Sequence, residues 1–259
     1  MILPITPLPL SAPAWAAGLG VLGAIAGSFI AALVIRWTED RSVVRGRSAC
    51  DACGHVLRAR DLVPVLSWLA LEGRCRDCGA SIDARHLVIE LIAVAIGVIA
   101  GLGSPGLEGA AGALFGWLLL ALGALDLAAF WLPDRLTAAL AMSGVATGLL
   151  GMAPDLHERL VGGLAGFGSL WLIAFAYRRL RGREGMGGGD PKLLGAIGLW
   201  LGWRMLPAVL LIGSLIGLGV ALGAAMRGRE VAGHTALPFG LFLAAAAYPA
   251  WVAMLWWGA

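Results

Sequence analysis

Charge is what this sequence has least of. Only 14% of its 259 residues are Asp, Glu, Lys or Arg, where a soluble domain carries about 25%. That shortfall excludes an ordinary water-soluble globule. A hydrophobic content of 59% and a mean hydropathy of +0.86 indicate instead a polytopic membrane protein. Cysteine is also scarce, and all four lie in one stretch, positions 50 to 78. The opening MILPITPLPLSAPAW holds no Lys or Arg, so it lacks the basic region of a signal peptide and reads as a short external tail. Around the glycine-rich EGMGGGDPK there is neither a GxGxxG pattern nor a GK[ST] ending, which excludes dinucleotide and P-loop readings of that segment.

What the chain does have is long apolar runs. Runs free of formal charge span Ala14–Ile35, Gly109–Leu125, Leu136–Pro154, Leu160–Tyr177, Met205–Met226 and Thr235–Trp257, and Leu87–Gly103 is broken only by Glu90. About 20 apolar residues cross a bilayer as a helix. With the 11-residue candidate Leu193–Trp203, the sequence predicts an all-α membrane protein of about eight transmembrane helices. That topology puts 17 of the 19 basic residues on one side, leaving only Arg159 and Arg204 on the other. The basic side is therefore cytoplasmic and both termini lie outside. The net charge of +3 reflects this topology and points to lipid headgroups, with no nucleic-acid partner. The expected division is an N-terminal region, 1–104, with two helices and a soluble insertion from Trp37 to Arg85, followed by a six-helix unit, 105–259. Glycines at small-xxx-small spacing, as in GGLAGFG (Gly162–Gly168), predict close helix packing.

The cysteines stand as CDAC (Cys50, Cys53) and CRDC (Cys75, Cys78), each followed by Gly. Two CxxC pairs fit two knuckles that present four sulfurs to one tetrahedral zinc, with redox thiols or free cysteines as the alternative; four protein ligands leave no open position, so such a zinc organises structure. A reducing cytoplasm disfavours disulfides. His55 and His86 lie nearby and are read as bystanders.

Ionisable groups at membrane depth are costly and mark functional candidates. Glu90, Asp126 and Asp190 are such groups. Asp126 continues an apolar helix where no capping duty explains it. Asp134 follows Pro133 and stands where an N-cap acid belongs. Asp190 precedes Pro191 and reads either as the cap of a short helix or as a reactive group. Leu193–Trp203 is too short to cross alone, so the glycine turn and Asp190 are expected at the cytoplasmic leaflet, at a depth similar to Asp126. Irregular backbone there must line a cavity or be buried in protein. Two carboxylates sharing a site hold one proton between them and perform aspartic-protease chemistry, with Asp190, at a helix N-terminus, as the ionised member. The glycines then let a substrate backbone approach. Lys192 either tunes the pair, binds a phosphate headgroup or marks the membrane boundary. Glu90 either lines the site or pairs with Arg85, and Glu184 either closes the site or is solvated.

Taken together, GGGD (Gly187–Asp190), LDLAAFWLPDRLT with its Asp126 and Asp134, and the paired-cysteine insertion resemble the prepilin leader peptidases, membrane aspartic peptidases of the GxGD type, over roughly residues 20 to 245. The resemblance implies that Asp126 and Asp190 are the catalytic pair, supported by Gly187, Gly189, Asp134, Lys192 and Glu184. It implies cleavage of the basic leader of type IV prepilins or pseudopilins after a Gly, on the cytoplasmic face of the bacterial inner membrane. It also implies N-methylation of the new terminus with S-adenosylmethionine, an activity associated with the N-terminal region. Two positions depart from the family pattern: Ala31 stands where many members have Asn, and Leu241, in LPFGLFLA, where a second Pro is common. From other classes, the sequence leaves open an ion-relay transporter and a zinc-bearing scaffold.

Overall fold

A computed structural model describes residues 10–43, 46–183, 185–228 and 236–257. These form α1 (Ala12–Trp37), the short α2 (Leu66–Ala70), α3 (Arg85–Gly103), α4 (Leu107–Ala129), α5 (Asp134–Leu149), α6 (Leu156–Arg181), α7 (Gly189–Leu201), α8 (Leu206–Met226) and α9 (Phe239–Trp257). A 3-10 turn at Ala59–Leu62 and two isolated β-bridges complete the regular structure among the described residues. Six helices, α1, α3, α4, α6, α8 and α9, are long and apolar enough to cross a membrane. The other two predicted crossings, α5 and α7, have 16 and 13 residues, rising roughly 24 and 20 Å. The chain is thus an all-helical, multi-pass membrane protein with its insertion after α1.

Helix ends follow local chemistry. Asp155 caps α6 by accepting the Glu158 N–H at 2.8 Å. The same helix stops at Gly182, φ +66°, with Arg178, Arg179 and Arg181 near its negative end. The acid at position 134 behaves otherwise than its sequence context suggests. Pro133 is the N-cap of α5, and Asp134 is its first helical residue, with no cap hydrogen bond. Likewise Gly188 occupies the N-cap of α7, so Asp190 lies inside the first turn and does not cap it.

Two compact units divide the chain, Met1–Leu120 and Ala121–Ala259. In the first, α1 lies against α3 through facing glycines. A Cβ on Gly27 would come 2.7 Å from Glu90 Cα, and one on Gly101 2.6 Å from Ala16 Cα. The backbones therefore meet directly, as small residues permit in lipid. Trp117 of α4 anchors to the same pair by donating to the Ala93 carbonyl at 2.9 Å.

In the second unit α7 is the central element, packed by α5, α6, α8 and α9. Its Leu193, Leu194, Ile197, Trp200 and Leu201 are all buried. Enclosure by other helices, in place of lipid, is what allows so short a helix at membrane depth. The GGLAGFG stretch of α6 supplies the close approach: Cβ atoms on Gly162 and Gly166 would meet the α7 carbonyls of Gly198 and Leu194 at 2.5 and 2.6 Å.

Candidate active site and metal centre

The end of α4 carries Asp126 in its last turn, and Phe130, at φ +51°, ends the helix. The chain then reverses through Leu132 and Pro133 into α5. Asp126 is 5% exposed and its Oδ2 accepts the N–H of Leu241 at 2.9 Å. Leu241 lies in the first turn of α9, whose initial N–H groups have no partner within the helix. Asp126 therefore supplies from α4 the acceptor that the α9 N-terminus needs. A proline at position 241 has no N–H and makes no such bond.

Asp190 is 7% exposed and sits in the first turn of α7. The segments that carry the two acids come together around Leu132. A Cβ on Gly189 would come 2.8 Å from Leu132 Cβ; one on Gly240 would come 2.9 Å from Leu132 Cδ1 and 3.0 Å from Asp126 Oδ2. Two helix N-termini, those of α7 and α9, thus converge on a pair of buried carboxylates.

The glycines before Asp190 divide into two kinds. Gly189 is filled against Leu132, so only a residue without Cβ fits. Gly188 has open space where a side chain would go, and at Gly187 a Cβ would meet only Asp190 Oδ2, at 3.4 Å. Among the described residues, the approach to Asp190 at Gly187 and Gly188 is clear of other side chains. Lys192 Nζ donates to Asp134 Oδ1 at 2.6 Å, an exposed pair that ties α7 to α5. Glu184 lies outside the described residues.

The four cysteines of the insertion form a second centre, within the first unit. Their sulfurs all lie within 4.8 Å of one another, and Cys50 and Cys78 are 3.8 Å apart. Tetrahedral zinc with bonds of about 2.3 Å places its sulfurs about 3.8 Å apart, so the donor set fits that ion. Both halves have one construction. Cys50 N donates to His55 O at 2.9 Å and Gly54 N to Cys50 O at 2.8 Å, while Cys75 N donates to Ala80 O at 2.8 Å and Gly79 N to Cys75 O at 2.9 Å. Bridges Ala49–Val56 and Arg74–Ser81 close each loop, and Gly54 and Gly79 turn at φ +69° and +70°. The backbone N–H groups of Cys53 and Ala52 aimed at Cys50 hold its thiol down to about 7, favouring the thiolate a metal binds. His55 instead faces Asp77 at 3.6 Å, outside the sulfur cluster.

Glu90 joins neither centre, and it does not pair with Arg85. Arg85 Nη2 lies 2.6 Å from Asp83 Oδ2. Glu90 is 5% exposed in α3, and its Oε2 accepts the Val65 N–H at 2.7 Å.

The sequence reading also missed three contributors. Leu132 lacks any signal, because an apolar residue at a tertiary contact looks like any other apolar residue, and Leu241 is marked only as standing where a second Pro is common. Arg159 was read as a face marker; it is 2% exposed, and its guanidinium donates to the carbonyls of Gly144, Met152, Ala153, Pro154 and Leu199 at 2.8 to 3.3 Å. Its signal was present as the single cation in the apolar first half of α6.

Comparison with known proteins places these features in context. Residues 21–102 match the family described as Bacterial Peptidase A24 N-terminal domain, and residues 113–222 the Type IV leader peptidase family. A "Prepilin leader peptidase/N-methyltransferase" of Aeromonas salmonicida is 42% identical over 219 residues, 84% of this chain and 74% of that protein. One of the same name from Burkholderia pseudomallei is 42% identical over 254 residues, 87% of this chain and 81% of the relative. Another, from Pectobacterium carotovorum, is 37% identical over 238 residues, 81% and 84% of the two chains. No solved structure matches.

Proposed function

The chain belongs to the type IV leader peptidase family, and from that premise we propose that Asp126 and Asp190 are the catalytic pair of a membrane aspartic endopeptidase of the GxGD type. Its substrates are the precursors of type IV pilins or pseudopilins, cut after a Gly at the cytoplasmic face of the inner membrane, with both termini of the enzyme outside. The observation that carries this reading is that two buried carboxylates, from α4 and α7, lie on segments that pack against one leucine, beside two open glycines.

The chemistry follows from the placement. Asp126, which accepts the Leu241 N–H, is the ionised member, reversing the assignment expected from sequence. It takes a proton from water as the water oxygen adds to the scissile carbonyl carbon. Asp190, carrying the shared proton, gives it to the carbonyl oxygen, and a tetrahedral diol results. Return of a proton from Asp126 to the amide nitrogen, and of the diol proton to Asp190, breaks the C–N bond and regenerates both acids. The space at Gly187 and Gly188 admits the leader backbone. Gly189 lets α7 seat against Leu132, and the Lys192–Asp134 pair fixes the start of α7 against α5.

Zinc held by Cys50, Cys53, Cys75 and Cys78 organises the insertion, and the first unit methylates the new N-terminus with S-adenosylmethionine. Support for the second activity is the name shared by the relatives together with the match of residues 21–102 to their N-terminal domain.

The test is cleavage of a purified prepilin by detergent-solubilised enzyme. Asp126→Asn and Asp190→Asn are each expected to lower the rate by more than about 10³-fold. Near-normal cleavage by either variant refutes the pair. Asp134→Asn, which loses only an exposed ion pair, should stay within about threefold.

A further inference from the structure

The first unit holds a cavity of about 380 Å³ that the peptidase chemistry does not use. Ser28, Ala32, Ile35 and Arg36, one face of the last turns of α1, form one wall. Glu90 of α3 and Trp68 of α2 form others, and the knuckle loops at Cys50–Ala52 and Cys75–Asp77 complete it. The volume lies in the small-molecule range.

Three side chains in this lining have capacity unspent on the protein. The Nε1 of Trp68 is buried and has no hydrogen-bond partner among the described residues. Its ring is fixed, since a Cβ on Gly73 would come 2.6 Å from it. Glu90 and Arg36 are the other two. Most charges around the cavity are paired with one another: Arg76 with Asp61, Arg85 with Asp83, Arg41 with Asp51. Glu90 and Arg36 have no ion-pair partner among the described residues, and their charges are opposite. Glu90 is further held in place by a strained turn. Val65 stands at φ +62°, ψ −55°, in a γ-turn closed by Leu66 N donating to Pro64 O at 2.6 Å, and its N–H is given to the Glu90 carboxylate. Such strain persists only where surrounding structure enforces it, and it gathers at ligand sites.

We propose that this cavity binds the methyl donor, with Glu90 and the Trp68 ring facing its sulfonium and ammonium cations and Arg36 its carboxylate. The inference rests on the methyltransferase half of the proposed function. An aromatic face and a carboxylate are what a sulfonium cation selects, and a fixed carboxylate and a guanidinium whose one hydrogen bond among the described residues is to the Ser42 carbonyl suit a zwitterion. Transfer breaks the S–CH3 bond, leaving its electron pair on sulfur as a neutral thioether. The unprotonated amine of the substrate forms the N–CH3 bond, and the resulting ammonium returns its proton to solvent. Because Cys50 and Cys75 belong to the wall, the metal knuckles shape the donor site. The Ala31 departure does not touch it: Ala31 is fully buried, whereas its neighbour Ala32 lines the cavity.

The experiment is calorimetric titration of S-adenosylhomocysteine into the full-length protein in detergent, beside a labelled-methyl assay on cleaved pilin. Wild type is expected to bind one equivalent. Trp68→Leu, which loses the aromatic face, and Glu90→Gln, which keeps an acceptor for Val65, should each bind about tenfold more weakly. Ala32→Phe, which fills the space from α1, should abolish binding; zinc content equal to wild type certifies that each variant is folded. Wild-type affinity in folded Ala32→Phe, or in both other variants, overturns the cavity while leaving methylation standing. If wild type neither binds the probe nor methylates pilin, the reading beneath the proposal falls with it.

Discussion

Leu241 shows how much one backbone group decides. Its N–H holds Asp126 Oδ2 at 2.9 Å, and proline, which the family resemblance leads one to expect there, removes that donor alone. Proline is tolerated in the first turn of a helix, where N–H groups lack intrahelical partners. Leu241→Pro should therefore fold normally and lower kcat for leader cleavage about tenfold, the loss of one hydrogen bond to a charged group, with KM little changed. Steady-state kinetics on a purified prepilin separate the two, and a change confined to KM would show that the bond serves substrate binding instead. Asp126, Asp190 and the four cysteines were legible at this scale, because charge in an apolar run and paired CxxC motifs stand out against their surroundings. Leu132 was not, since its part comes from position alone, and Leu241 stood out only as a departure from the family pattern, with its bond to Asp126 unseen.

Among the elements, α7 depends on a keystone at each end. Near its start stand Gly189 against Leu132 and the Lys192–Asp134 pair; near its end, Arg159 binds the Leu199 carbonyl and Trp200 Nε1 donates to Leu140 O at 2.8 Å. Arg159 also gathers three carbonyls of the α5–α6 connection, Met152, Ala153 and Pro154. Arg159→Met leaves these acceptors without their donor and is expected to cost about 2–4 kcal/mol. The apparent Tm in detergent should drop by roughly 5–10 °C. Arg159→Lys keeps the charge but offers fewer, unforked donors, so it should recover only part of the loss. A Tm within a degree of wild type for the Met variant would refute the keystone role. The Arg was misjudged from sequence because a cation near a helix end ordinarily faces water, and only the fold shows that five carbonyls surround it. The helices themselves were legible. Six apolar runs became long helices, since a chain in lipid must satisfy its backbone internally.

For the molecule as a whole, the proposed dyad belongs to the second unit, and the cysteine cluster and the proposed donor cavity belong to the first. Composition and motif order carried that arrangement into view. What they did not carry was the contents of the first unit's cavity wall: Glu90 stood out as a charge in an apolar run, but Trp68 and Arg36 are far from it in sequence and ordinary in type. The shortness of α5 and α7, 16 and 13 residues that pack on each other, has a consequence for the solvent. Helices rising about 24 and 20 Å in hydrocarbon about 30 Å thick impose hydrophobic mismatch on the lipid beside α5, whose Met142 and Leu149 are exposed. The bilayer is expected to thin there and draw headgroup water toward the carboxylates. Reconstituted in phosphatidylcholine of increasing acyl length, from 14 to 22 carbons, the enzyme should cleave fastest in the thin membranes and slow as the chains lengthen. A rate indifferent to chain length would mean that the protein alone conducts water to its reaction.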